Sequence, residues 1–188
     1  MGTRIFQIGF NKCGTRSISH FFKRHGLSAA DWERGQLAQS IKADLANGMR
    51  PLSDWDHVDV FTDMEYVHGV NMIEGYRYFR ALHSHYPDAV FILNTRNGEA
   101  WVRSRHAHGS GAYTDSYKRY YGYDTEDEVF WRWRREWYAH HLDVLAYFSE
   151  QASGQLFVWD IDNPDFQSLQ EMVPFELNLD FWTQRGKT

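Results

Sequence analysis

An α/β fold, with helices on both faces of a parallel sheet, is predicted for this 188-residue chain by three observations. Short apolar runs alternate with helical periodicities along its length. One run, Ala89-Val90-Phe91-Ile92-Leu93-Asn94-Thr95, is continuous in the manner of a strand buried on both faces. The first run leads through a glycine-bracketed loop directly into a helical periodicity, the strand–loop–helix order that such folds repeat.

The elements follow in order. Ile5-Phe6-Gln7-Ile8-Gly9-Phe10 reads as a buried strand, and residues 15–24 show helical spacing through Ile18, Phe21 and Phe22. Residues 32–48 read as a second helical region, with Leu37, Ile41 and Leu45 four apart and Gly48 as its stop. Val58-Asp59-Val60-Phe61-Thr62-Asp63 has the alternation of a strand, and residues 72–86 read as a helix closed by Pro87. After the run at 89–95 come a helix over 99–108, a flexible break at Gly109-Ser110-Gly111, a long helix over 126–150 and a last strand at 155–160. In such a sheet ligands sit beyond the carboxyl ends of the strands, here at Asn11-Lys12, Asp63 and Arg96.

An apolar content of 43% supports one sizeable core, so residues 1–188 are expected to form a single domain. The formal net charge of −5 argues against nucleic acid or an anionic membrane as partner, and any anion site has to be local. With Cys13 as the single cysteine, no intrachain disulfide forms, which fits the cytoplasm. No apolar run approaches the ~20 residues that span a bilayer. The start of the chain goes directly into a strand pattern without a leader, and Phe6 stands where myristoylation needs Ser or Thr. The chain is aromatic, with eight tryptophans, and residues 113–137 are suited either to helix packing or to lining an apolar acceptor pocket.

The loop Gly9-Phe10-Asn11-Lys12-Cys13-Gly14-Thr15 offers backbone N–H groups and a positive helix end to phosphate or sulfate oxygens. Nucleotide triphosphatases place Lys and then Ser or Thr directly after the second glycine; this chain has Thr15-Arg16 there, with its lysine displaced into the loop at Lys12. A lysine so placed can reach the leaving oxygen of a transferred group as a point charge. Arg96 directly follows the strongest strand, and Ser104 lies two helical turns further on, so both can face one anion.

Together these motifs resemble the sulfotransferase superfamily. Lys12-Cys13-Gly14-Thr15 is similar to its Lys-x-Gly-Thr 5′-phosphosulfate loop, and Arg96 with Ser104 to its 3′-phosphate element. The stretch from Tyr86-Pro87-Asp88-Ala89 through Asn94-Thr95-Arg96 to Glu99-Ala100-Trp101-Val102-Arg103-Ser104 is the most specific part of the likeness. Motifs carry the likeness over residues 4–104 and element order beyond that. The chain departs in having Asn97-Gly98 where Asp-Pro is common, and in being short, so that acceptor-binding elements are reduced or supplied by a partner chain, with a homo-oligomer left open.

The resemblance implies a three-layer architecture like that of P-loop NTPases and a donor, 3′-phosphoadenosine 5′-phosphosulfate (PAPS), without a metal. Lys12 would stabilise the leaving phosphate; Asn11, Cys13, Gly14, Thr15, Arg16 and Ser17 would hold the 5′-phosphate; Arg96 and Ser104 would hold the 3′-phosphate. The partner implied is a small-molecule or glycan acceptor, whose hydroxyl or amine needs a base. Asp63 is the first candidate, its alternative role being a cap of the following turn, with Glu65 and His68 in reserve. Cys13 is either a spacer or a thiol activated by the helix end. His83-x-His85, His106-x-His108 and His140-His141 lack the spacing of a zinc set, and His106 and His108 are expected to be exposed at the mouth of the donor site. Arg185-Gly186-Lys187 is either a basic tail or a segment closing over the 3′-phosphate. Two other function classes stay open: a kinase or NTPase using ATP and magnesium, and a nucleotide-binding module without catalysis.

Overall fold

The first strand, β1 (Ile5–Gln7), is fully buried because it has neighbours on both sides, and its side chains alternate between two cores. In the computed structural model, which describes residues 3–183, it pairs in parallel with β3 (Val60–Thr62) and β6 (Val90–Thr95). β2 (Ala29–Asp31) lies outside β3 and β7 (Leu156–Asp160) outside β6, also in parallel. The order β2-β3-β1-β6-β7 makes β1 and β6 adjacent strands whose onward connections leave in opposite directions. That switch point opens a crevice at their carboxyl ends.

Helices cover both faces, giving the three layers expected. α1 (Thr15–Arg24) buries Ile18, Phe21 and Phe22 with Ile5, Val60, Val90, Ile92 and Trp159, and Leu169 of α7 (Phe166–Met172) joins this core. On the other face α2 (Gln36–Ala46), α3 (Phe79–His85) and α6 (Glu126–Gln151) pack Leu37, Ile41, Leu82, Val144 and Phe148 against Phe6, Ile8, Phe61, Phe91 and Leu93. Each such side chain contributes ~1.5–3 kcal/mol by leaving water. A third cluster, built on Phe10, Trp101, Tyr117, Trp133 and Trp137, lies under the loop that follows β1.

Most expected elements are present; β2 and α7 are additions to them, and three further places differ. The helix expected over 72–86 is reduced to α3. Gly75–Tyr78 form a 3-10 turn, and the residues before that form β5 (Asn71–Glu74), which pairs antiparallel with β4 (Glu65–His68). Gly69, at φ 61°, opens the two-residue turn of this hairpin, where a left-handed residue matches the strand twist. The helical region at 32–48 begins only at Gln36, because Trp32, Glu33 and Arg34 all take positive φ and Gly35 lies so close to the Tyr66 ring that a Cβ would overlap it. Third, α5 (Ala112–Tyr121) follows the break at Gly109-Ser110-Gly111, whose three positive φ angles turn the chain after α4 (Gly98–His106). The boundary of α6 was legible: Thr125 and Glu128 form a reciprocal capping box. Asn97, in the departure from Asp-Pro, caps α4 by accepting the Ala100 N–H at 3.0 Å.

Candidate functional site

The loop between β1 and α1 is shaped by polar side chains inside apolar strands. Gln7 Nε2 donates to the Gly9 carbonyl at 2.7 Å and to Asn94 Oδ1 at 2.5 Å, while Gln7 Oε1 accepts the Asp63 N–H at 2.8 Å. One amide thereby fixes the carboxyl ends of three adjacent strands. Asn94 Nδ2 in turn donates to the carbonyls of Phe10 and Cys13, at 2.9 and 2.8 Å. Gly9 has to be glycine, since a Cβ there would overlap Asn94. Trp101 Nε1 holds the Asn11 carbonyl at 3.0 Å from α4.

With its carbonyls tied down, the loop turns through Lys12 at φ 59° and Gly14 at φ 77° into α1. No side chain caps this helix and its first turn holds no acidic residue, so no protein carboxylate offsets its positive end at Thr15 and Arg16. Arg96 reaches the loop from the end of β6, donating to the Lys12 carbonyl at 3.3 Å, with its Nε 3.9 Å from Asp162. That Nε is buried and makes no hydrogen bond within the described residues. Ser104 is half-buried on α4, in sequence between Trp101 and Arg105, which both pack under the loop.

The charges around Lys12 perturb one another. Burial and the cations of Arg16 and Arg96 lower its pKa, against an opposing pull from Asp63. Asp63, half-buried at φ 53° beyond β3, is pushed well above the usual carboxylate range by burial and by the nearby carboxylates of Asp31 and Glu65. Asp31, at the end of β2, is itself raised by burial although it accepts a 2.7 Å bond from Thr62 Oγ1. His108 is half-buried, not fully exposed as expected; burial and the charges of Lys12 and Arg16 lower its pKa, and its ring meets Tyr113 edge-on at 5.5 Å.

Beneath the loop, Arg105 is wholly buried and pairs with Glu65 at 2.6 Å, surrounded by the rings of Phe10, Trp101, Tyr113, Tyr117 and Trp133. Tyr113 donates to Glu65 and receives a 3.1 Å bond from Asn11 Nδ2, which joins this network to the loop. Much of the aromatic segment at 113–137 packs here. Glu65 Oε1 is thus held by Arg105 and Tyr113, while its Oε2 is buried without a hydrogen bond among the described residues, and His68 stands exposed at the tip of the β4–β5 hairpin. His83, His106, His140 and His141 are each held in local hydrogen bonds; His140, donating to the Ile8 carbonyl at 2.7 Å, has its pKa lowered to about 4 by burial. Among the described residues no three His, Cys, Asp or Glu side chains gather as a metal site. The basic segment at 185–187 lies outside the described residues.

Cys13 is the clear correction of an open alternative. It is fully buried, and burial pushes its thiol up rather than down. Native protein should leave it unmodified by a thiol reagent over a period in which denatured chain reacts completely, as read by mass spectrometry.

The sulfotransferase domain model matches residues 4–180, nearly all of the chain. The chain belongs to the sulfotransferase family. Its five-stranded parallel sheet with surrounding helices agrees with that fold, and membership makes it a transferase with an acceptor substrate. No curated protein matches the chain. Within this sulfotransferase Arg96 contacts the loop at the Lys12 carbonyl, whereas Gln7, Asn94, Asp31 and Arg105 were not anticipated; polar residues inside otherwise apolar strands were the available signal for the first two. No described helix is long and apolar enough to cross a membrane.

Proposed function

We propose that this sulfotransferase moves a sulfuryl group from PAPS to a hydroxyl or amine of a small-molecule or glycan acceptor. The observation that carries the reading is the placement of Lys12 within the loop that enters α1, with Arg96 donating to its carbonyl at 3.3 Å and Arg16 in the first turn of the helix. Three cations at a helix N-terminus suit a donor with several anionic oxygens. The donor fits the residues present: Arg96 Nε is buried with a donor to spare, and the N-terminus of α1 carries no side-chain cap.

When bound, PAPS supplies an activated sulfuryl group whose transfer breaks the bond to the 5′-phosphate oxygen. Loop residues Asn11, Cys13, Gly14, Thr15, Arg16 and Ser17 would hold the 5′-phosphate, and Arg96 and Ser104 would hold the 3′-phosphate. Lys12 neutralises charge developing on the leaving oxygen. Asp63 takes the acceptor proton as the new bond to sulfur forms; a raised pKa brings a carboxylate closer to the ideal for a base near neutral pH.

The pH profile follows from these shifts. Asp63 has to be deprotonated, so activity rises with pH through its raised pKa, higher than for an ordinary aspartate. Lys12 has to be charged, so activity falls again at a pH below that of a free lysine. The acidic limb should disappear in Asp63→Asn, at low residual turnover, and persist in His108→Gln; the reverse pattern would transfer the role of base to His108.

Titration calorimetry with adenosine 3′,5′-bisphosphate and, separately, ATP with magnesium tests the donor. Binding of the bisphosphate in preference to ATP is expected, and the opposite preference overturns the reading. Transfer from labelled PAPS to a panel of alcohols, phenols, amines and sugars then tests turnover.

A further inference from the structure

The outer face of α6 carries four large apolar side chains in a single stripe. Trp131 is 60% exposed, Tyr138 and Leu142 67% each, and Leu145 41%. Their spacings of seven, four and three residues place them on one side of a helix, opposite the buried Val129, Trp133, Trp137, Val144 and Phe148. A surface helix of a monomer is expected to be polar on that side. Flanking the stripe, Arg135 stacks on Trp131 at 4.8 Å and Glu150 stands exposed, and neither forms an ion pair with a described residue.

We propose that this stripe is the interface of a homodimer, in which α6 of one copy packs antiparallel on α6 of a second copy across a two-fold axis near Leu142. The charge pattern selects that occupant and that orientation. Arg135 and Glu150 lie about 22 Å apart along the helix and nearly symmetrically about Leu142. Antiparallel pairing sets each Arg135 beside the other copy's Glu150, twice over. Parallel pairing would leave each Arg135 about 22 Å along the helix from the nearest Glu150. The same symmetry brings Tyr138 beside the other copy's Leu145, with Leu142 meeting itself, so one surface serves both partners. Each aromatic side chain here carries ~150–250 Å², of which 60% at Trp131 and 67% at Tyr138 is still exposed. Two copies of the stripe with its flanks therefore approach the ~1,000 Å² at which specific association begins.

Sedimentation equilibrium of the full chain, from low to high micromolar concentration, tests this. The expected species has twice the 22.3 kDa of one copy. Leu142→Arg should weaken association at least tenfold, with the far-ultraviolet circular dichroism of the wild type. Arg135→Glu and Glu150→Arg should each weaken it at low salt, and the two together should restore it. These charge variants, at exposed positions, keep the test intact if Leu142→Arg perturbs folding. A wild type that stays at 22.3 kDa throughout, or a dimer untouched by Leu142→Arg, overturns the proposal. A charge swap that fails to restore association overturns the antiparallel arrangement.

Discussion

Lys12→Ala will lower turnover of labelled PAPS by roughly 10²–10³-fold, the cost of removing one preorganised charge at a developing anion. The bisphosphate should bind the variant with a much smaller loss, because Arg16, Arg96 and the helix N-terminus remain. This split between turnover and binding separates a group acting on the leaving oxygen from one that merely adds positive potential. Lys12 adopts φ 59°, where side chains are disfavoured, and alanine there carries a comparable backbone penalty, so thermal stability should change little. Equal losses in binding and turnover would make Lys12 a binding residue alone. Lys12→Arg should recover only part of the rate, since a planar fork does not reproduce a compact point charge.

What could be read from the residues divides by the range of the interactions involved. β6 and α1 were legible because local pattern decides them: a continuous apolar run, and a 3.6-residue periodicity that starts at a glycine. The glycine-bracketed loop between β1 and α1 was legible for the same reason. The hairpin of β4 and β5 was not, because Met72, Tyr76 and Phe79 also satisfy helical spacing, and pairing between residues 65–68 and 71–74 depends on the turn at Gly69. β2 is three residues long and exists by pairing with β3, a partner thirty residues away in sequence. In the site, Lys12 and Arg96 announced themselves as cations at strand ends. The charges that tune them did not: Asp31 approaches Asp63 through β2–β3 pairing, and His108 approaches Lys12 through the turn after α4. Arg105 looked like one more basic residue near the end of a helix, and nothing local distinguishes a buried arginine from an exposed one.

That arginine supports the second large effect, a loss of stability. Arg105 is fully buried and its main acidic partner, Glu65, is 3% exposed, so neither can turn to water when the other is removed. Arg105→Ala leaves the Glu65 carboxylate buried beside Tyr113 without its cation and empties the space within five aromatic rings. Breaking one side of such a pair costs about 3–5 kcal/mol. For a chain of this size each kcal/mol shifts the melting temperature by roughly 2–4 °C, so a fall of at least ~6 °C is expected in calorimetry. Burial and the neighbouring Glu74 carboxylate raise the Glu65 pKa, with the Arg105 cation as the main opposing pull; losing that cation raises it further. The variant's deficit should therefore shrink as pH falls and Glu65 takes up a proton, and grow as pH rises. Replacing both partners by apolar residues, Arg105→Met with Glu65→Leu, should recover a substantial part of the loss, because the desolvated charges go together. The double variant also deprives Tyr113 of both partners that hold its hydroxyl beside Asn11, so it should regain stability without regaining full turnover. A double variant restored in both respects would confine Arg105 to the core and detach it from the loop above.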